Sequence, residues 1–443
     1  NPESSSSSNN NNNNKDEQSM LEKPPTTTLV IATRLHLGRS SSPPFNEQLR
    51  KIVLNMETLR RRATMTVPQG LGSPSVVVVD DHQNEQHRKL PEDSYQDVAV
   101  VDEAVVVIAV DATPKIDGYD YVQAVRDTIS EVASSPSSLS ENQDEGETSP
   151  NNNNTHVLPV TPWGNFVPAL NATVLFAKNQ LGGDLLMFVS AEVDASSKTI
   201  TTLCTYVLHG IDFKLDDGDD TSGRGSAGGR RRDAVDGNKD SNDSLHHANV
   251  FVAGAALPGH DYYQGGEGGD NDEDGGTSAT VVVSAAVTDT ATVSKSTTEA
   301  KIVPLSGRTT PWNTLCVWNL TKLSLVGFAC ISDIGPNAGV EECAAIAILE
   351  KLLSSSSSWS SGSSPPPPPS TPTQQPVLAQ APVLPDAVAC LVKVDDIRWD
   401  TTDSFKDDEG RKQWHDQKMK SKNERPQWQL EQLNLPGGIV VHL

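Results

Sequence analysis

Cysteine is scarce in this chain, five in 443 residues, and no two of them stand in a C-x-x-C pair. Cys204, Cys316, Cys330, Cys343 and Cys390 are scattered, mostly in apolar context. That pattern argues against a disulfide framework or a zinc ribbon and for reduced, core-packed thiols in an intracellular, cytoplasmic setting. Long apolar runs are also missing: no stretch approaches the 18 or so uninterrupted apolar residues of a membrane span, so none is expected. Basic residues are outnumbered, 35 against 58 acidic, for a net charge of −23. Most of that acidity sits in stretches 80–103, 134–155, 215–248 and 262–300, where it favours solubility and weighs against nucleic acid as a partner. The marks of several enzyme classes are absent as well: no G-x-x-x-x-G-K-[ST] phosphate loop, no G-x-S-x-G elbow, no H-E-x-x-H, and no G-x-G-x-x-G after an early strand.

What the chain does have in quantity is low-complexity sequence. An Asn/Ser-rich opening (1–25) is followed by acidic, Gly/Asp/Arg-rich, Ser-rich and Pro-rich tracts at about 80–101, 134–154, 215–248, 262–300 and 354–385. Such segments bury too little apolar surface to offset the entropy of ordering, so they read as disordered insertions. Removing them leaves roughly 270 residues, the size of one large α/β domain.

Within that remainder strands and helices alternate. Leu29–Leu37 reads as a strand, 45–62 as a helix, Val105–Val110 as a strand buried on both faces, 119–132 as a helix, and Val157–Val160 as a short strand. A helix over 166–178 then leads into Leu185–Val189, an apolar strand that ends abruptly in Ser190-Ala191-Glu192. Further strands are predicted at Thr199–His209, 249–256 and 389–394, and a helix at 340–353. Residues 414–433 read as a solvated helix, broken near Pro426, that packs its Trp and Leu residues back on the domain. The run Val76–Asp81 looks like a strand ending in two carboxylates but sits in an acidic, polar stretch with no helix after it. Alternation of this kind predicts a mainly parallel sheet with its ligand at the carboxyl ends of the strands.

The stretch from Trp163 to Asp194, with Gly164, Ala169-Leu170-Asn171, Gly183-Asp184, the apolar strand and the Ser190-Ala191-Glu192 tip, resembles the centre of the family-2 glycosyltransferases. Val105–Asp111 on one side, and the stretches beginning at Ser306 and Ala338 on the other, extend the likeness to about 250 residues of the predicted core. The resemblance implies a single GT-A domain, the nucleotide-diphospho-sugar transferase fold, over residues 26–441, and transfer of a sugar from a nucleoside-diphosphate sugar to an acceptor. It further implies Glu342 as catalytic base with Glu341 beside it, and Asp111, Gly164, Asn171, Arg308 and Trp312 on the substrate. A divalent cation, Mg²⁺ or Mn²⁺, would be held by Glu192 with Asp194, His260 or Asp261. Two positions depart from the pattern: Ser190 stands where the first acid of Asp-x-Asp belongs, and Glu342 replaces an Asp. The first departure makes a catalytically inactive nucleotide-sugar-binding or scaffold domain the alternative.

Each of these residues also has a plainer reading. Glu192 can cap a turn, and Glu341 and Glu342 suit any helix start through the dipole. Asp111 suits an Asx-type turn. Trp163 and Trp312 can be packed lids, and Asn171 can bond a neighbouring loop. A nucleotidyltransferase would want a basic, Gly-rich loop after the first strand, where residues 33–38 supply one arginine, Arg34.

Overall fold

Val, Ile and Leu at consecutive positions suit a strand covered on both faces, and Thr28–Leu35 forms such a strand, β1. In this computed structural model the described residues are 26–36, 46–65, 100–113, 119–135, 154–164, 166–215, 245–262, 282–286, 297–334, 339–357, 387–399 and 409–443. The amphipathic helix α1 (Asn46–Thr64) follows β1 and buries Leu49, Val53, Met56 and Leu59. Next come β2 (Glu103–Asp111), α2 (Tyr121–Ser134), β3 (Thr155–Val160), α3 (Val167–Asn179) and β4 (Leu185–Val189). Strands β3, β2, β1 and β4 lie side by side in that order and all parallel. The chain thus builds outward from β1 to β3, then returns to lay β4 on the other flank of β1. The carboxyl ends of β1 and β4 flank the point where the winding reverses, which is where open α/β sheets leave a crevice.

Beyond β4 the sheet is mixed. Strand β10 (Leu315–Asn319) runs antiparallel to β4, and β7 (Leu245–Ala255) antiparallel to β10. Strand β7 pairs with β6 (Ile211–Leu215) at one end and with β11 (Ala387–Val392) at the other. From there β8 (Val282–Ala286), β9 (Thr297–Pro304) and β13 (Ile439–His442) connect β6 back to β11, so these pairings make a closed circuit. A separate two-stranded sheet joins β5 (Val193–Ala195) to β12 (Ile397–Trp399).

Alternating side chains divide the core into two layers. Leu29, Ile31, Val106, Ile108, Leu185 and Met187 face α1, α2 and α4 (Ser197–His209). Val30, Ala32, Val107, Leu186, Phe188 and Trp318 face α3, α5 (Leu320–Val326) and α6 (Glu341–Ser357). The final helix, α7 (Glu409–Gln432), packs on α6.

Several expectations need correcting. Thr199–His209 is helix α4, because Thr199, Ile200, Leu203, Cys204 and Val207 are buried at helical spacing between an Ser196 N-cap and Gly210. Its β-branched residues suggested a strand; the tertiary face it covers decided otherwise. The tracts expected to be insertions lie largely outside the described residues, but strand β8, the start of β9 and the first four residues of β7 fall within them. Helix α7 runs continuously through Pro426; it buries Leu430, while Trp428 stays exposed. The Val76–Asp81 run lies outside the described residues. Among the described residues no helix is long and apolar enough to cross a membrane.

Candidate functional site at the carboxyl edge of the sheet

Three adjacent strands end at this edge in polar side chains that share one face. The parity that turns Val30 and Ala32 toward α3 and α6 applies equally to Arg34. The same parity sets Asp111 at the end of β2 and Ser190 just past β4 on that face. The β1–β2 register, continued by one pair, aligns His36 with Asp111, whose Oδ2 lies 3.7 Å from His36 Nε2. The β1–β4 register, continued by two pairs, sets Arg34 beside Ser190. Asp111 and Ser190 are therefore two strand spacings apart across the sheet and two residues apart along it, about 12 Å.

Helix α6 closes the site from the same face. Glu341 and Glu342 form its first turn and both are buried. Asn313, in the turn leading into β10, holds them: its backbone N–H donates to Glu342 Oε1 at 2.6 Å and its Nδ2 to Glu341 Oε1 at 3.4 Å. Asn313 Oδ1 in turn accepts from the Trp318 indole at 3.3 Å, which fixes the side chain. Arg34 Nη1 stands 3.6 Å from Glu341 Oε1, so the end of β1 meets the start of α6. Burial pushes the Glu342 carboxyl up to about 7, with the neighbouring Glu341 charge adding to the rise and the Asn313 amide and Lys422 opposing it. A buried carboxyl that titrates near neutrality can exchange a proton at physiological pH.

The remaining sequence-predicted residues divide sharply. Glu192 sits exposed at the tip of the turn after β4, a turn clasped by Asn55 of α1 through the Ala191 and Val193 carbonyls. Asp111 makes the Asx-type bond of its plainer reading, accepting from Thr113 N at 3.0 Å, while also facing His36. Gly164 follows β3 with φ +66°, and a side chain there would collide with Pro168. Asn171 is a structural clamp: its amide donates to Phe328 O at 2.9 Å and accepts from Phe328 N at 2.7 Å. Trp312 is buried, donates to Gly307 O, and is sandwiched between His260 at 3.7 Å and Lys422 Nζ at 2.8 Å from the ring centroids, so it presents no open sugar platform.

The metal set is not gathered. Asp194 pairs with Arg62 of α1. Asp261 pairs with Arg308 at 2.6 Å, which also commits the arginine expected on the diphosphate. Both ring nitrogens of His260 are engaged by backbone, Nδ1 at Leu257 and Nε2 at Thr310 O, and burial holds its pKa down to about 3. Among the described residues no group of three His, Cys, Asp or Glu side chains is placed to hold a metal ion.

Four contributors escape a reading of the sequence by motif: Arg34, His36, Asn313 and Asp333. Arg34 carried a signal, a charge at buried parity in an otherwise apolar strand. Asn313 carried none, since its role depends on a helix 28 residues away in sequence. Asp333 caps α3 from outside, accepting from Phe166 N at 2.9 Å and Val167 N at 3.0 Å. No family model, curated protein or solved structure matches the chain.

Proposed function

We propose that the carboxyl edge of the sheet binds a nucleoside-diphosphate sugar and that the chain is a GT-A-type glycosyltransferase. The observation that carries this reading is the meeting of Arg34 from β1 with the Glu341–Glu342 pair of α6 beside the point where the winding reverses, with Asp111 at the end of the adjacent strand β2 on the same face. Asp111, steadied by its Asx bond, faces the nucleoside. The diphosphate lies toward Arg34. Glu342, poised near 7, takes the proton of the acceptor hydroxyl as that oxygen attacks the anomeric carbon. The bond from that carbon to the diphosphate oxygen breaks, and the nucleoside diphosphate leaves with the electron pair.

A binding or scaffold domain is the second reading, favoured by Ser190 at the first acidic position and by the pairing of Arg308 with Asp261. Calorimetric titration with uridine and guanosine diphosphates tests the shared part. Turnover of the matching sugar nucleotides separates the two readings. Glu342→Gln lowers transfer by about 10²–10⁴-fold if Glu342 is the base, with nucleotide affinity kept. Binding without turnover in the parent chain supports the scaffold reading, and no nucleotide binding removes both.

A further inference from the structure

The cation that the resemblance implies does not fit the donors at this edge. Mg²⁺ and Mn²⁺ want hard, anionic oxygens. The first of those positions is Ser190, Asp194 is tied to Arg62, Asp261 to Arg308, and His260 to two backbone segments. Only Glu192 of the expected set is exposed without such a tie among the contacts described. Beside Ser190 the fold instead supplies a guanidinium. The β1–β4 register sets Arg34 one strand spacing, about 5 Å, from Ser190 on the same face. An acid at position 190 would add a second carboxylate beside Arg34, which already stands 3.6 Å from Glu341; serine leaves Glu341 as its one acidic neighbour among the contacts described and adds a hydroxyl.

An independent observation points to a ligand here. The indole Nε1 of Trp163 is buried with no hydrogen-bond partner, and the residue is 3 % exposed. Arg34 Nη1 is also buried without a hydrogen bond, since Glu341 at 3.6 Å is beyond hydrogen-bonding length. Buried donors are rarely left unmet in folded proteins unless something else satisfies them. Both belong to the same edge of the sheet: Trp163 stacks on His36 at 5.7 Å, His36 faces Asp111, and the Arg34 guanidinium lies 5.4 Å over the Phe166 ring at the start of α3.

We propose that this edge of the sheet holds the diphosphate of its ligand without a metal ion, through the Arg34 guanidinium and the Trp163 indole N–H, with the Ser190 hydroxyl completing the set. The inference rests on the nucleotide-sugar reading above and specifies how the anion is recognised. Planar guanidinium donors suit phosphate oxygens, and an indole N–H adds a directed bond that does not depend on pH.

The test is calorimetry on the full chain with inorganic pyrophosphate and with uridine and guanosine diphosphates, each in EDTA and in Mn²⁺. Affinity in EDTA is expected within about threefold of that in Mn²⁺, and Arg34→Gln weakens binding by about tenfold or more. Trp163→Phe weakens it by a further few-fold, and thermal melts confirm that each variant is folded. Should Arg34→Gln fail to fold, Ser190→Asp decides: metal-free binding drops by about tenfold and Mn²⁺ restores it. Binding that requires Mn²⁺ in the parent chain and survives Arg34→Gln overturns the inference but leaves the nucleotide reading standing. Pyrophosphate that binds without metal as tightly as either nucleotide supports the anion site while removing the nucleoside from the reading. If no probe binds in either condition, both fall.

Discussion

Of the three buried glutamates on α6, Glu342 and Glu350 are placed differently by their surroundings. Glu342 accepts from the Asn313 amide at the start of the helix, beside Glu341 and the end of β1, whereas Glu350, eight residues further along, accepts among the described residues from the Ile439 amide at 3.2 Å and is pushed up to about 8 by burial. For Glu342 the transfer rate is expected to rise with pH and level off above about 7, since only the ionised carboxylate accepts a proton. A rate that is flat from pH 5 to pH 9 removes Glu342 from the role. For Glu350 the consequence is stability. Its folded pKa is raised above the unfolded value of 4.5, so the folded state holds the proton more tightly, and stability falls as pH climbs from 4.5 to about 8. Glu350→Gln keeps an acceptor for Ile439 N and removes the titration. Urea unfolding at pH 5 and pH 9 is expected to show the variant more stable than the parent by about 1–3 kcal/mol at pH 9 only. Neither glutamate's environment is legible in sequence, because both depend on strands that arrive from far along the chain.

At the scale of elements, the site depends on contacts that hold helix ends in place. Helix α3 lacks a side-chain cap of its own and borrows Asp333 from the 3-10 turn Cys330–Asp333. Asp333→Ala is expected to cost about 1–2 kcal/mol in denaturant unfolding, in the range of a lost N-cap, and Asp333→Asn less. Helix α7 packs against Gly307, where a side chain would overlap the Lys422 carbonyl. Gly307→Ala is accordingly expected to destabilise by about 1–3 kcal/mol and to loosen the Lys422–Trp312 contact, read as a change in tryptophan fluorescence. The elements themselves were unevenly legible. Strand β4 matches its predicted bounds, and β1, β2, α1, α2, α3 and α6 fall within a few residues of theirs. Their hydrophobic periods are long and their ends are punctuated by Gly, Pro or a cap. Strands β8 and β9 were hidden, because Val282–Ala286 and the opening of β9 lie in Thr/Ser/Ala-rich sequence, and besides each other they pair with β6 and β13, which lie elsewhere in the chain.

For the whole molecule, the sheet has two regions with different jobs. The parallel run β3-β2-β1-β4 carries the candidate site at its carboxyl edge, and the closed circuit from β7 through β6, β8, β9, β13 and β11 joins it through β10. A ligand that binds only the folded chain stabilises it by mass action. A nucleoside diphosphate at a hundred times its Kd is expected to add about 2.7 kcal/mol, seen as a higher Tm, and the gain is expected to shrink in Arg34→Gln. An unchanged melting curve at saturating nucleotide counts against the crevice as a nucleotide site.

The sequence by itself determined the α/β alternation, the buried strands and the carboxylates at the strand and helix ends, because these follow from local periodicity and punctuation. It did not determine which charges remain available. Arg308, Asp194, Asp261 and His260 look equally reactive along the chain, and each is neutralised or engaged by a neighbour brought by the fold. Arg34 is placed beside Ser190, and within 3.6 Å of Glu341 at the start of α6, only because the chain returns to lay β4 against β1. Electrostatic pairing acts through space over a few ångströms, and that distance is fixed by tertiary structure rather than by separation along the chain.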